Sequence, residues 1–386
     1  MRHKILHLTN TDVITDSRIL KEVSILSETG NYSVHGVGIT ENHGPSKILK
    51  KNNAELRVLN TVSHNFTLLP RSARYVLVLL ELTVRFSLVG LFMRPKIIHC
   101  HDTMVILAGV IIKLLTGAKL IYDAHELESN KNGQSRVLSK ATFFLEKICW
   151  NKIDHLITVS PSIIDWYKHN LGDKPSTLIL NSPTMRKDNI AKNDAASKEN
   201  YFHEKYKIPS DKLIFLYVGI FGDGRGIDLI VDVFENSNLK SHLVFLGYGK
   251  LSDDLKKLST KYMNIHVHDA VAHDQVVEIA KSADVGLCLI QNVSLSDYYC
   301  LPNKLFEYCF AGIPVLASNF PDISKIVNQY KLGICVDLNV DGITDGIKRF
   351  ESKELDMNLR PSDLSALSWE AQALKLTKLY ENILSS

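Results

Sequence analysis

Short apolar segments alternate with amphipathic segments along most of this 386-residue chain. In the first half the apolar runs predict strands over 3–8, 32–38, 96–100, 118–123 and 155–160. The amphipathic runs between them predict helices over 17–29, 69–93, 104–116, 136–150 and 161–170. Continuous apolar strands separated by helices are typical of a parallel sheet that is covered on both faces.

The pattern breaks at a polar stretch and then begins again. A linker or hinge is predicted over 187–207, where large apolar residues are few. Further strands are predicted over 212–219, 242–249, 264–268, 284–290, 313–318 and 333–337. The chain is therefore predicted to fold as two tandem Rossmann-like, doubly wound α/β domains over 1–186 and 208–366, with a ligand cleft at the carboxyl ends of their strands.

The last segment, 367–386, is predicted to be an amphipathic helix. Because the second sheet is complete without it, we expect this helix to cross back onto the first domain. On pattern alone, a helix that closes the second domain fits nearly as well.

Composition narrows the class of protein. The 45 Lys and Arg residues nearly balance the 42 Asp and Glu residues, which argues against a nucleic-acid coat. The six cysteines show no metal-binding or redox spacing, and the N-terminus lacks the apolar core of a signal peptide. We therefore expect reduced cysteines and a cytoplasmic protein without a transmembrane helix.

The most apolar stretch, Tyr75–Met93, is about as long as a membrane span but contains charged residues. One interpretation is a buried helix of the first domain. The other is a helix that lies on an anionic membrane surface, aided by the arginines on or near it: Arg71, Arg74, Arg85 and Arg94.

The segment GIFGDGRG, which begins at Gly219, follows a predicted strand and precedes a helix. Backbone N–H groups of Gly222 and Gly224 could approach an anion at the helix N-terminus, and Arg225 could hold two phosphate oxygens. A glycine-rich turn with a solvated arginine is the alternative. The glycine spacing fits neither the dinucleotide fingerprint nor the Walker motif, which disfavours a dehydrogenase and an ordinary ATPase.

A second candidate lies in PNKLFEYCFAGIPVLAS, from Pro302 to Ser318. A cation at Lys304, in the first helical turn, is unfavourable for the helix itself and suggests an anionic ligand. Glu307 shares its face, and a carboxylate there could bind the hydroxyls of a ribose. The alternative is a surface ion pair between these two residues.

Polar residues also follow two predicted strands of the first domain. We expect His101, Asp102, His125 and Glu126 to face the cleft. A zinc site made from them is conceivable, but no metalloprotease helix motif is present, and isolated histidines are more often structural.

These segments resemble glycosyltransferase family 4, whose members have the two-domain GT-B fold. The specific part is PNKLFEYCFAGIPVLAS, which is similar to the nucleotide-sugar motif of the family. VGIFGDGRG, GYGK, ADVGLCLI, YDAHE, TDSRILKE and SWEAQALKLTKLY resemble further family segments.

The resemblance implies a retaining transferase that uses a nucleotide-diphosphate sugar and needs no metal or other cofactor. It implies catalytic roles for His125, Arg225 and Lys304. The residues expected at the donor are Gly222, Gly224, Arg225, Gly247, Tyr248, Asn303, Lys304, Leu305 and Glu307. The residues expected on the acceptor side are Asp16, Arg18, His101, Asp102 and Glu126.

Two positions depart from the family pattern, because Tyr299 and Ile220 stand where many members carry a glutamate and a basic residue. Two alternatives therefore remain beside the transferase, a sugar-nucleotide epimerase of the same architecture and a non-catalytic nucleotide-sugar-binding subunit. The expected partners are a nucleotide sugar, a carbohydrate or lipid-linked glycan acceptor and an anionic inner membrane face, with no nucleic acid.

Overall fold

The computed structural model describes residues 2–40, 46–51, 53–63, 66–184, 200–355 and 361–385. The chain divides into two compact units. The first comprises the residues up to Ile179 together with those from Ala373 onward, and the second comprises Leu180–Gln372. Most of the predicted linker, residues 187–199, lies outside the described residues.

The first unit is built on an eight-stranded sheet in the order β3-β4-β2-β1-β5-β6-β7-β8. Its strands are β1 (His3–Leu8), β2 (Tyr32–Ile39), β3 (Lys47–Lys51), β4 (Ala54–Leu59), β5 (Ile97–His101), β6 (Lys119–Ala124), β7 (His155–Thr158) and β8 (Ser176–Leu178). The helices between them are α1 (Ser17–Glu28), α2 (Arg71–Met93), α3 (Ile106–Thr116), α4 (Arg136–Trp150) and α5 (Pro161–Leu171).

The second unit contains a six-stranded sheet in the order β11-β10-β9-β12-β13-β14, with every pair parallel. Its strands are β9 (Ile214–Ile220), β10 (His242–Tyr248), β11 (Ile265–Asp269), β12 (Val285–Cys288), β13 (Val315–Ser318) and β14 (Gly333–Val336). Its helices are α6 (Tyr201–Tyr206), α7 (Ile227–Asn236), α8 (Ser252–Lys261), α9 (Val276–Ala280), α10 (Leu295–Tyr298), α11 (Asn303–Phe310), α12 (Pro321–Tyr330) and α13 (Val340–Glu351).

Each predicted strand and helix has a counterpart within a few residues of its predicted position. The pattern did not predict β3, β4 or β8, and β3 pairs antiparallel to β4 at the edge of an otherwise parallel sheet. The side chains of β3 are largely exposed, so that strand lacks the apolar run by which the central strands are recognised.

The C-terminal helix α14 (Trp369–Ser385) begins in the second unit and continues into the first. Its Tyr380 is fully buried there, and the hydroxyl group lies 2.7 Å from Nδ1 of His99 in β5. The predicted crossing back to the first unit is confirmed.

Helix α2 has one face in the core of the first unit and one face in solvent. Val78, Leu82 and Phe86 are buried, and Gly90 packs so closely on Ile112 of α3 that a Cβ atom would come within 2.4 Å of it. The opposite face carries exposed apolar side chains at four-residue spacing: Val76, Leu80, Val84, Leu88 and Phe92. By length and composition alone, the helix from Ala73 to Met93 could also cross a membrane.

Candidate functional site

In the second unit, the loop after β9 contains glycines at positions where a side chain would clash or where φ is positive. Gly226 caps α7 with φ +69°, and a Cβ atom there would lie 2.3 Å from the carbonyl oxygen of Leu289. Gly224 also has positive φ, +75°, whereas a Cβ atom on Gly222 would meet nothing closer than 3.9 Å. Packing therefore requires Gly226, while Gly222 keeps the loop surface open for a ligand.

The end of β10 approaches the end of β9 just as closely. A Cβ atom on Gly247, where φ is +154°, would come within 1.9 Å of the carbonyl oxygen of Gly219. The next residue, Tyr248, presents an exposed ring. The two strand ends thus bring the loops at Gly219 and Gly247 together at the carboxyl edge of the sheet, where ligands of α/β sheets bind.

The N-terminus of α11 supplies the charged residues. Pro302 adopts an extended conformation at the cap, and Asn303 is the exposed first residue of the helix. Lys304, Leu305 and Glu307 follow and are all buried. A lysine and a glutamate that are both buried do not form the solvated surface pair that the sequence left open.

Lys304 is a buried cation for which the described residues offer no hydrogen-bond acceptor at Nζ. Its Nζ lies 3.7 Å from the ring centroid of Tyr217, and a Cβ atom on Gly219 would lie 3.7 Å from it. Burial, with a contribution from Arg225, lowers the pKa of Lys304 to about 8. Such a charge is stabilised when an anion reaches it.

Arg225 stands beside this lysine from the glycine-rich loop. Its guanidinium is partly exposed, and Nη1 lies 3.6 Å from the Asp297 carboxylate. Asp297 is itself held by Ser294, which caps α10. The arginine is therefore oriented by one carboxylate while its remaining N–H groups are available to a ligand.

Glu307 lies 3.4 Å from Nδ1 of His273, a partly exposed residue before α9. The sequence did not point to His273, Tyr217 or Asp297, because none of them lies in a motif. Tyr299 is the C-cap residue of α10 and packs on the ring of Tyr298.

In the first unit, Arg18 and His101, both predicted on the acceptor side, meet His125 around Asp123. This carboxylate is fully buried and receives a bidentate contact from Arg18 of α1 at 3.0–3.1 Å. His101 and His125 lie 3.6 and 3.3 Å from its Oδ2 atom. Burial would raise the pKa of Asp123, but Arg18 and His125 hold it well below its usual value.

His125 is the member of this cluster that reaches solvent, with 20% of its side chain exposed. Burial acts to lower its pKa, but the carboxylates of Asp123 and Asp102 raise it to about 9. At neutral pH the ring is therefore an imidazolium.

The other three residues predicted on the acceptor side are Asp16, Asp102 and Glu126. Asp16 caps α1 by accepting hydrogen bonds from the backbone N–H groups of Arg18 and Ile19. Asp102 has φ +65° directly after β5. Glu126 follows His125 and is exposed.

The sequence did not single out the residues that surround His101 on the inner side. His7 of β1 pairs in register with His99 of β5, and His101 pairs with Asp123 of β6. Glu22 of α1 completes a group whose possible ligand atoms lie within 4.8 Å of one another. The signal in the sequence was two histidines, His99 and His101, that alternate with Cys100 at the end of an apolar strand.

The orientation of the imidazole rings shows whether His7, Glu22, His99 and His101 could bind one metal ion together. The rings of His99 and His101 stack at 4.3 Å with an interplanar angle of 15°, and those of His7 and His101 at 5.2 Å and 20°. An imidazole binds a metal in the plane of its ring, so near-parallel stacked rings do not point at one ion. Nδ1 of His7 instead lies 2.9 Å from Nε2 of His101, in hydrogen-bond contact.

Two family models match the chain, one over each half. The model of "Glycosyltransferase Family 4" matches residues 37–182, and that of "Glycosyl transferases group 1" matches residues 198–363. The chain belongs to glycosyltransferase family 4. The predicted family and the predicted class of enzyme are thereby confirmed.

Individual relatives of this glycosyltransferase are distant. An uncharacterized glycosyltransferase of Methanocaldococcus jannaschii is 22% identical over 271 residues, which span 65% of each protein, slightly under two thirds of that relative. A chitobiosyldiphosphodolichol beta-mannosyltransferase of Kluyveromyces lactis is 23% identical over 365 residues, covering 86% of this chain and 78% of that protein.

Among solved structures, sucrose-phosphate synthase from Thermosynechococcus elongatus matches the whole chain. The TM-score is 0.79 at 15% identity, with 100% of both chains covered. This likeness confirms the predicted fold of two Rossmann-like domains.

If the diphosphate of a nucleotide sugar reaches Lys304, the lowered pKa of this residue should make binding dependent on pH. With a pKa of about 8 in the free protein, the ammonium loses its proton as the pH rises through 8, and anion affinity falls. Binding near pH 8 should take up about half a proton, since the diphosphate stabilises the charged form. Calorimetry in buffers of different ionisation enthalpy measures this uptake.

Lys304→Arg is the matched variant, because a guanidinium stays charged throughout this range. It should bind without proton uptake near pH 8. Equal uptake in both proteins would assign the titrating group elsewhere.

Proposed function

We propose that this glycosyltransferase transfers a sugar from a nucleotide-diphosphate sugar to a carbohydrate or lipid-linked glycan acceptor, with retention of configuration at the transferred sugar. The observation that carries the proposal is the buried ammonium of Lys304 beside the glycine-rich loop, for which no described residue supplies a hydrogen-bond acceptor. The second unit binds the donor, and the first unit carries the acceptor-side residues.

The diphosphate is assigned to Lys304, Arg225 and the N–H groups of the loop at Gly222 and Gly224. As the bond to the sugar breaks, negative charge develops on the departing phosphate, and two fixed cations stabilise it there. Removing one such group typically slows an enzyme about 10²–10³-fold. Because these cations neutralise the diphosphate, we propose that the reaction needs no metal ion.

Glu307 is assigned to the ribose hydroxyls of the donor. Its carboxylate is buried at the same helix terminus as Lys304, one turn further along α11. Asn303 and Leu305 belong to the same turn, and Tyr248 offers an exposed aromatic ring after β10.

His125 is assigned to the transferred sugar. Its imidazolium, held by Asp123 and Asp102, can donate a hydrogen bond to a sugar oxygen or to the leaving group. Acceptor binding is assigned to the surrounding residues: Asp16, Arg18, His101, Asp102 and Glu126.

The place of action is proposed to be the anionic inner face of the cytoplasmic membrane, with α2 lying on the lipid surface. The exposed stripe of α2 is apolar along its whole length, and Phe92 is 88% exposed. Glu81 does not interrupt the stripe, because its carboxylate binds Ser63 and the backbone of residues 62–63. The lipid-linked substrate named for the Kluyveromyces relative agrees with this proposal.

Basic groups gather where the stripe ends. Lys4 donates a hydrogen bond to the carbonyl oxygen of Met93, the last residue of α2, and Arg94 and Lys96 follow with exposed side chains. Each basic residue near an anionic membrane contributes about 1 kcal/mol of attraction.

Lys304→Ala and Arg225→Ala should each lower turnover on the order of a hundredfold, because each removes a charge from the proposed diphosphate site. Turnover is measured with a panel of nucleotide sugars, with and without acceptor, in the presence of a chelator. Lys281→Ala, which removes a lysine paired with Glu278 on the surface of the same unit, is the control.

Normal turnover in both variants would contradict the donor assignment. If the donor is converted to a free or isomerised sugar when no acceptor is present, the protein is an epimerase and the transferase proposal fails.

Glu307→Gln should mainly weaken nucleotide binding, since a hydrogen bond to a charged group contributes about 1.5–3 kcal/mol. Calorimetry with the free nucleotide measures the loss, which corresponds to roughly ten- to a hundredfold in affinity. If affinity is unchanged, Glu307 does not bind the ribose.

Paired substitutions Leu80→Glu and Leu88→Glu should weaken binding to anionic vesicles by about ten- to a hundredfold, because both half-exposed side chains would enter the lipid surface. Sedimentation with vesicles at low and high salt measures it. Val137→Glu, at an exposed apolar position of α4, is the control. The membrane proposal fails if the unmodified protein does not bind such vesicles even at low salt.

A further inference from the structure

Behind His125, a chain of hydrogen-bonding side chains runs through the core of the first unit. Nε2 of His125 lies 3.1 Å from Nδ1 of His101, and Nε2 of His101 lies 2.9 Å from Nδ1 of His7. Nε2 of His7 lies 3.4 Å from the hydroxyl of Tyr380, which lies 2.7 Å from Nδ1 of His99. The four residues behind His125 are fully buried.

Each link of this chain joins two nitrogens, or a nitrogen and a hydroxyl, so one atom of each pair must carry the proton. When His125 is protonated, its Nε2–H lies between Oδ2 of Asp123 at 3.3 Å and Nδ1 of His101 at 3.1 Å. An unprotonated Nδ1 of His101 then serves as a second acceptor and keeps two N–H groups from facing each other. His101 then carries its proton on Nε2 and donates to His7, which donates from Nε2 to Tyr380. The Tyr380 hydroxyl donates to His99, and every link is satisfied in one direction.

We propose that His101, His7 and Tyr380 form a positioning relay that fixes the ring of His125 for sugar transfer. The relay extends the role proposed above for His125 and rests on it. Tyr380 belongs to α14, so the C-terminal helix supplies the far end of a chain that starts at a candidate catalytic residue.

The protonation states of the inner histidines agree with this arrangement. Burial, together with the neighbouring histidines, lowers the pKa of His7 well below its usual value, and it lowers that of His99 to about 3. Burial also lowers the pKa of His101. The inner rings are therefore neutral and each has one donor and one acceptor nitrogen, as a directional chain requires.

Charged groups face His125 from every element that packs against it. They are Arg18 and Glu22 of α1, Asp102 after β5, and Asp123 of β6. Burial and the Asp123 charge raise the pKa of Glu22 to about 8, so Glu22 adds little negative charge at neutral pH. The two aspartates favour the imidazolium, and the relay supplies a second acceptor, beside Asp123, for its inner N–H group.

Tyr380→Phe tests the relay by removing only a hydroxyl group. Nε2–H of His7 then loses its acceptor. The reversed chain, in which Nε2 of His7 carries no proton, therefore becomes the arrangement of lower free energy. In the reversed chain Nδ1–H of His101 points at His125 and opposes its protonation. The pKa of His125 should therefore fall from about 9 toward about 8.

Histidine ring-nitrogen NMR of the full chain without substrate measures the tautomers and the pKa directly, with peaks assigned from single His→Gln variants. In the unmodified protein, His101 and His7 should carry their protons on Nε2 while His125 is protonated. Tyr32→Phe is the matched control, because Tyr32 is a buried neighbour whose ring lies 6.0 Å from that of Tyr380. It should change neither tautomers nor pKa.

Protons on Nδ1 of His101 and His7 beside a protonated His125 would overturn the relay. So would a Tyr380→Phe variant with an unchanged His125 pKa, or a Tyr32→Phe variant with an equal shift. In Tyr380→Phe, turnover should begin to fall at a lower pH than in the unmodified protein, while KM for the donor stays constant. If the NMR result holds but no nucleotide sugar is turned over, the proposed function fails and the relay stands.

Discussion

A buried positive charge governs the candidate donor site. The ammonium of Lys304 lies under the loop that follows β9, against the ring of Tyr217, and no acceptor among the described residues reaches it. Lowering the pKa of a lysine from 10.5 to about 8 costs the folded protein about 3 kcal/mol at neutral pH. A stability cost of this kind is typical of functional sites, and it supports the anion-binding role proposed for Lys304.

The first unit handles its buried charges differently. Arg18 and Asp123 neutralise one another deep in the sheet, and His125 is left as the cation that reaches solvent. Among the described residues, the Lys304 ammonium has no hydrogen-bond acceptor, whereas the His125 imidazolium lies beside the carboxylates of Asp123 and Asp102. The contrast matches the proposed roles, since one group meets a diphosphate and the other a sugar.

The sequence predicted the parallel sheets because central strands such as β5 are buried at every position. It also singled out Lys304, Arg225, Glu307 and His125 as candidate site residues, because they lie in segments with a family resemblance, and their roles stay predictions. It did not predict β3, whose exposed residues lack the apolar signal.

The sequence also did not predict the residues whose proposed roles depend on neighbours that are distant along the chain. His7, Asp123 and Tyr380 meet only through the register of β1, β5 and β6 and through the path of α14. The sequence did not predict the exposed stripe of α2 either, because both faces of that helix are apolar. Only its packing on α3 shows which face is buried.

The most direct test compares thermal unfolding of the unmodified protein and Lys304→Met, with and without a nucleotide sugar. Methionine fills a similar volume without the buried charge. The account predicts that free Lys304→Met unfolds at a higher temperature than the free unmodified protein. It also predicts that the variant loses the ligand-induced stabilisation, which is about 2.7 kcal/mol at a hundredfold excess over Kd. A variant that is less stable when free and still stabilised by the ligand would contradict it.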